Sequence, residues 1–119
     1  MDKRILLLQE RILEKLQSPP ALEELATEIN VSPSRLRQIF KAETGMPFTE
    51  YVRHLQMERA RQMLETTFLR VQEISFAVGF RDQCHFNRAF KEKYGMTPKK
   101  YRYENHWEFK KLNENRFVQ

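Results

Sequence analysis

Two short polar series, fifty residues apart, carry side chains suited to the hydrogen-bonding edges of nucleic-acid bases. The first is Ser34, Arg35, Arg37, Gln38 and Lys41; the second is Gln83, Cys84, Asn87, Arg88 and Lys91. A guanidinium such as Arg37 or Arg88 offers a two-donor fork that fits guanine O6 and N7. A carboxamide such as Gln38 or Asn87 matches the donor and acceptor of adenine. Lys41 and Lys91, with the free N–H groups of a helix start, suit phosphates, which set register without specifying sequence. Ser34 and Cys84 are small, and at a groove they contribute chiefly by not clashing.

Other chemistries fail on residue type and spacing. His54, His85 and His106 are scattered, and Cys84 and His85, adjacent on a helix, cannot both face one metal. All three histidines read as surface or groove-facing residues. The chain has 3 glycines and no phosphate-cradling loop, and its carboxylates lie mostly on helix faces beside basic residues. The expectation is a non-enzyme with no metal and no cofactor.

The elements that must hold the two series follow from an internal repeat. Phe40-Lys41, Gly45-Met46 and Tyr51 return as Phe90-Lys91, Gly95-Met96 and Tyr101. Upstream, Leu25-Ala26, Ile29 and Asn30-Val31 answer to Ile74-Ser75, Val78 and Gly79-Phe80, now forty-nine places apart, so the second turn is one residue longer. Each copy orders an apolar residue beside a small one, then an apolar residue, a turn former and a second apolar helix. That order predicts a helix-turn-helix. Asn30 and Gly79 stand where the chain reverses, and both tolerate a left-handed backbone. Ser32-Pro33 and Asp82 supply the caps of the helices that follow. Leu36, Ile39 and Phe40 in one copy, and Phe86, Ala89 and Phe90 in the other, point inward at helical spacing, which turns the two polar series outward.

The same spacing predicts helices over 4–17, 21–29, 33–44, 48–66, 70–78 and 83–94, with a last one begun by Thr97-Pro98. The helix over 48–66, free of Gly and Pro, would be about 27 Å long. The expected fold is all-α: a seven-helix arrangement of two helix-turn-helix units joined by a long central helix. Its parts are a first unit over 1–46, a connecting helix over 47–66, a second unit over 67–103 and an extension over 104–119. With short loops throughout, the two units should be rigidly joined.

Composition bounds the class. At 119 residues neither half buries enough surface to be comfortably stable alone. No apolar run approaches a membrane span, and a lone Cys84 excludes an internal disulfide and agrees with a reducing cytoplasm. The net charge of +5 is concentrated: residues 79–102 hold seven cations against Asp82 and Glu92, seven minus two, so the rest sums to zero. Coinciding with a helix-turn-helix, that surplus reads as a phosphate-binding footprint.

The stretch from Glu73 to Lys91, followed by Gly95-Met96-Thr97-Pro98 and Tyr101-Arg102, resembles the C-terminal signature of the AraC family of bacterial transcription regulators. The likeness runs over about residues 5–103. It implies seven helices in two helix-turn-helix units, each recognition helix entering a major groove of one double-stranded DNA site. It also implies groove contacts from Ser34, Arg37 and Gln38 and from Cys84, Asn87 and Arg88. Gln38 and Gln56 stand where family members often carry Arg, and Asn30 where Gly is common. Many members carry a sensing domain ahead of this region, so RNA polymerase and an N-terminal effector domain or a dimer partner outside this chain are expected partners.

The ends admit two readings each. Ile5 to Leu8 make the first helix apolar over a wide arc, either to cover the first unit or to meet an effector domain or second protomer. Tyr103, Trp107, Phe109 and Leu112 either form a helix that packs back or belong to a frayed tail. Two other functions are also open: an interaction module with an acidic partner such as a polymerase subunit, and an architectural protein that binds DNA without sequence preference.

Overall fold

The computed structural model describes residues 2–109 and 111. It contains α1 (Lys3–Glu14), α2 (Leu22–Glu28), α3 (Pro33–Thr44), α4 (Phe48–Thr66), α5 (Val71–Ala77), α6 (Gln83–Tyr94) and α7 (Pro98–Asn105). Helix resumes at 107–109, and the described residues contain no strand. Two compact units divide within α4, between Gln56 and Met57.

In the first unit α1 offers Ile5, Leu8 and Ile12 on one stripe, all with no exposed surface, and Leu16 continues the line beyond the helix. They pack with Leu22, Leu25 and Ala26 of α2, Leu36, Ile39 and Phe40 of α3, and Tyr51, Val52 and Leu55 of α4. Each fully buried aliphatic side chain is worth about 1.5–3 kcal/mol of transfer free energy. The wide apolar arc of α1 is only partly used, because Leu6 and Leu7 remain exposed. Gln56 is buried, and its Nε2 donates to the carbonyl of Leu16 at 3.0 Å, so the polar group sits in the core with a partner.

The α2–α3 turn is closed by backbone bonds at the end of α2. The N–H of Val31 donates to Ala26 O at 3.1 Å and that of Asn30 to Thr27 O at 3.2 Å, with Asn30 left-handed at φ 57°. This is the Schellman arrangement. The α5–α6 turn repeats it: Phe80 N–H donates to Ser75 O at 3.0 Å, Gly79 N–H to Phe76 O at 3.1 Å, and Gly79 has φ 99°. The next helix then starts on a cap in both copies. Ser32 Oγ accepts from Arg35 N at 3.1 Å and Asp82 Oδ1 from Cys84 N at 2.8 Å.

The second unit packs Met57, Ala60 and Leu64 of α4 with Ile74, Val78, Phe80, Phe86 and Phe90. Phe90 lies 4.7 Å from Tyr94 and 5.5 Å from Tyr101, ring centre to ring centre, so its core is largely aromatic. Ala89, expected inside, is only half-buried at the edge of that core.

Two polar residues of this unit depart from the sequence expectations. Arg102, counted above in the phosphate footprint, is buried, and its guanidinium donates to the carbonyls of Leu64, Thr67 and Leu69. It thereby serves the Leu64 carbonyl in the last turn of α4, where helix carbonyls lack partners, and two carbonyls of the loop that follows. A cation there also matches the helix dipole. Burial without a carboxylate partner lowers its pKa. His106, expected at the surface, is buried between Phe68 at 5.0 Å and Phe109 at 4.9 Å, with Nδ1 accepting from Glu108 N. Phe109 also meets Tyr103, so the chain after α7 packs back through this ring, whereas Trp107 is exposed. Leu112 lies outside the described residues.

A polar network lies on α4. Glu58, Arg61 and Glu65 share one helix face, with Arg61 3.0 Å from Glu58 and 3.1 Å from Glu65. The Tyr94 hydroxyl donates to Glu58 at 2.6 Å, and the Tyr101 hydroxyl donates to Glu65. Two phenols thus tie α6 and α7 to α4.

The turn geometry predicts opposite outcomes at equivalent positions. Gly79→Ala should cost about 1–2 kcal/mol, since an L-residue resists that backbone, whereas Asn30→Gly should cost nothing; thermal melts decide both.

The tyrosines predict alkaline lability. Burial first, and then the bond to a carboxylate, raises the pKa of both Tyr94 and Tyr101 above the ordinary value of 10.0. A raised folded-state pKa contributes stability that is complete below the unfolded value and is lost as pH climbs through the folded one. Melting temperature should therefore fall more steeply above about pH 10 in the wild type than in Tyr94→Phe/Tyr101→Phe. Parallel curves would show that the phenols do not titrate with folding.

Candidate nucleic-acid interface

Once Leu36, Ile39 and Phe40 are buried, the outer face of α3 is fixed by helical phase. Ser34, Arg35, Arg37, Gln38 and Lys41 are all exposed on it. Burial of Phe86 and Phe90 acts likewise on α6, leaving Gln83, Cys84, Arg88 and Lys91 exposed. Counted from the caps Ser32 and Asp82, the two faces match place for place: Ser34 with Cys84, Arg37 with Asn87, Gln38 with Arg88, Lys41 with Lys91.

Asn87 is the exception to the expected exposure. It is half-buried, and its Oδ1 is inaccessible and accepts no hydrogen bond. The equivalent residue, Arg37, is long enough for its guanidinium to reach Glu23 of α2 at 3.4 Å. The position therefore lies toward the preceding helix. An arginine clears that shoulder, while the shorter asparagine leaves its carbonyl against it. In this rotamer Asn87 cannot present both halves of its amide to adenine.

The Arg37–Glu23 pair joins two side chains that are each more than half exposed, so its strength is of the weak surface kind and it is readily exchanged for another anion. Arg35 Nη1 lies 3.5 Å from Gln38 Oε1, which aligns the two side chains along α3. In the second unit the counterpart of Glu23 is Gln72, so no acid stands at the matching place.

His85 is exposed, as its reading as a surface or groove-facing residue expects. It occupies the third position of α6 and stacks edge-on against Phe80 at 5.3 Å, exposed beside Cys84 and Arg88. With Arg102 withdrawn into the fold, the surface surplus of residues 79–102 is six cations minus two acids, or +4.

Two capped, outward-facing helices, each hinged on the same left-handed turn, define a tandem helix-turn-helix DNA-binding domain. The family described as "Helix-turn-helix domain" matches residues 25–104, and the chain belongs to this AraC-type family. It is 35% identical over 95 residues to the HTH-type transcriptional activator RhaR of Escherichia coli K12, covering 80% of this chain and 34% of that protein. The C-terminal domain of the two-component response regulator yesN from Fusobacterium nucleatum superposes with a TM-score of 0.74 at 35% identity, over 85% of this chain and 99% of that one. The C-terminal domain of AraT, a response regulator from Geobacillus stearothermophilus, gives 0.77 at 32% identity, over 88% of each chain. The chain spans about a third of the length of the curated relatives it matches. The family is one of DNA-binding transcription regulators, which is not a class of enzyme. Among the described residues no helix is long and apolar enough to cross a membrane.

The buried carbonyl of Asn87 carries a prediction. A buried acceptor without a partner costs about 1–3 kcal/mol, and alanine is the better helix former. Asn87→Ala should therefore raise the melting temperature. A lower one would mean that this oxygen finds a partner in solution.

Proposed function

We propose that the chain reads one asymmetric double-stranded DNA site by placing α3 and α6 in successive major-groove segments, and so directs transcription of specific genes. The observation that carries this reading is the matched outer faces. Two helices with the same caps and the same buried stripe expose different hydrogen-bonding side chains at the same places. Arg37 and Gln38 serve the first half-site, Arg88 the second, and both sets fit guanine or adenine edges. Lys41, Lys91, Arg35 and Gln83 hold phosphates, with Ser34 and Cys84 admitting close approach. Asn87 joins the readers by rotating its amide out of the shoulder. On this reading the working parts are a first unit over 1–46, a connecting helix over 47–66 and a second unit over 67–103, with an extension over 104–119. RNA polymerase and an effector domain or second protomer are the partners proposed for the whole regulator; the E. coli relative is a transcriptional activator.

Selection of binding sites from random duplexes tests the proposal. It should return two unlike sequence blocks with no palindrome, because the two faces differ. Recovery of no preferred sequence would overturn it in favour of architectural binding. Arg88→Ala should then cost about 1–3 kcal/mol on the selected site and relax preference at one base pair. An equal loss on random duplex would make Arg88 a phosphate contact.

A further inference from the structure

The first unit holds a cleft of about 560 Å³ whose apolar walls take no part in the proposed DNA contacts, although Arg37 and Lys41 border it. Its walls are Ala21 and Leu22 at the start of α2 and Pro47 and Phe48 at the start of α4. Phe48 is half-buried and packs edge-on against the core ring of Phe40 at 5.2 Å, so this wall is held by the core. Arg37 and Lys41, one turn apart on α3, stand at the rim with Glu23. The volume falls within the range of small-molecule sites, as does the plan of apolar walls with a few charged groups.

We propose that this cleft binds an aryl-alkyl monocarboxylate, its hydrocarbon between Leu22, Pro47 and Phe48 and its carboxylate on Lys41 and Arg37. The charge count selects a monoanion. Two rim cations less the Glu23 carboxylate leave +1, and among the described residues no ion pair engages Lys41. The apolar walls select a hydrocarbon body over a bare phosphate or a sugar. Such a ligand would occupy two cations of the outer face of α3, so ligand and duplex would weaken each other by the same factor. That competition rests on the proposed DNA reading, whereas binding to the cleft does not.

The test uses 4-phenylbutyrate and the uncharged 4-phenylbutanol, titrated into the whole chain by calorimetry. The acid should bind at one site, about tenfold or more tighter than the alcohol, a gap of about 1.4 kcal/mol. Lys41→Gln should bring the acid close to the alcohol while leaving the alcohol unchanged. Ala21→Leu narrows the cleft at a residue whose extended backbone accepts any side chain, and it should weaken both compounds at an unchanged melting temperature. Equal affinity for acid and alcohol, or no saturable binding at all, would overturn the site. If Ala21→Leu fails to fold, the charge comparison still decides. Saturating acid should then weaken duplex binding several-fold. Tight acid binding with undiminished duplex binding would overturn the shared use of Arg37 and Lys41 and leave the cleft site standing.

Discussion

One left-handed residue in each turn is the constraint on which the rest depends. At the end of α2 and of α5 the chain must reverse within three residues while the last carbonyls still find donors. The bonds from Val31 to Ala26 and from Phe80 to Ser75 meet that need only if Asn30 and Gly79 take positive φ. The small side chains of Ala26 and Ser75 belong to the same solution, since both are buried where the next helix passes. With the turn closed, the direction of α3 and α6 is set, their apolar stripes meet the core, and their outer faces become available. The extra residue Arg81 in the second turn lengthens the step between hinge and cap without altering the bonding pattern.

The parts of this fold governed by local rules were legible in the sequence. Periodicity placed Leu36, Ile39, Phe40, Phe86 and Phe90 in the core, and Ser32, Asp82 and Thr97 each cap the helix they precede. The fate of polar side chains was not legible, because it turns on partners distant in sequence. Arg102 reads as one more surface cation until carbonyls more than thirty residues earlier are brought around it. His106 is buried because Phe68 and Phe109 converge on it. Asn87 and Arg37 share a helical phase but differ in length and charge, and the short amide is half-buried while the long cation reaches Glu23.

The repeat has diverged in what holds each copy together. The first unit relies on aliphatic packing around α1, with Gln56 satisfied by a carbonyl. The second relies on a cluster of rings, on Arg102 against the end of α4, and on two phenols bonded to carboxylates of α4. Tyr51, the counterpart of Tyr101, is buried against Phe40. The same side chain thus serves as hydrocarbon in one copy and as a hydrogen-bond donor in the other. The difference lies in whether an acid stands opposite it.

Charge divides along the same line. Residues 1–56 carry eight cations and eight acids and sum to zero, while residues 57–119 carry thirteen against eight, a net +5. Long-range attraction to a polyanion therefore acts mainly on the second unit. The first unit has no such surplus, so its electrostatic character depends on where its charges stand. Arg35, Arg37 and Lys41 lie together on the outer face of α3, while Glu28 is engaged by Arg11 of α1 at 2.6 Å. Glu23 is the acid paired with that face, and the pair is exposed. Such a pair is screened by salt and cheaply broken. A neutral unit can thus present a positive helix, provided its acids are bound elsewhere or held weakly.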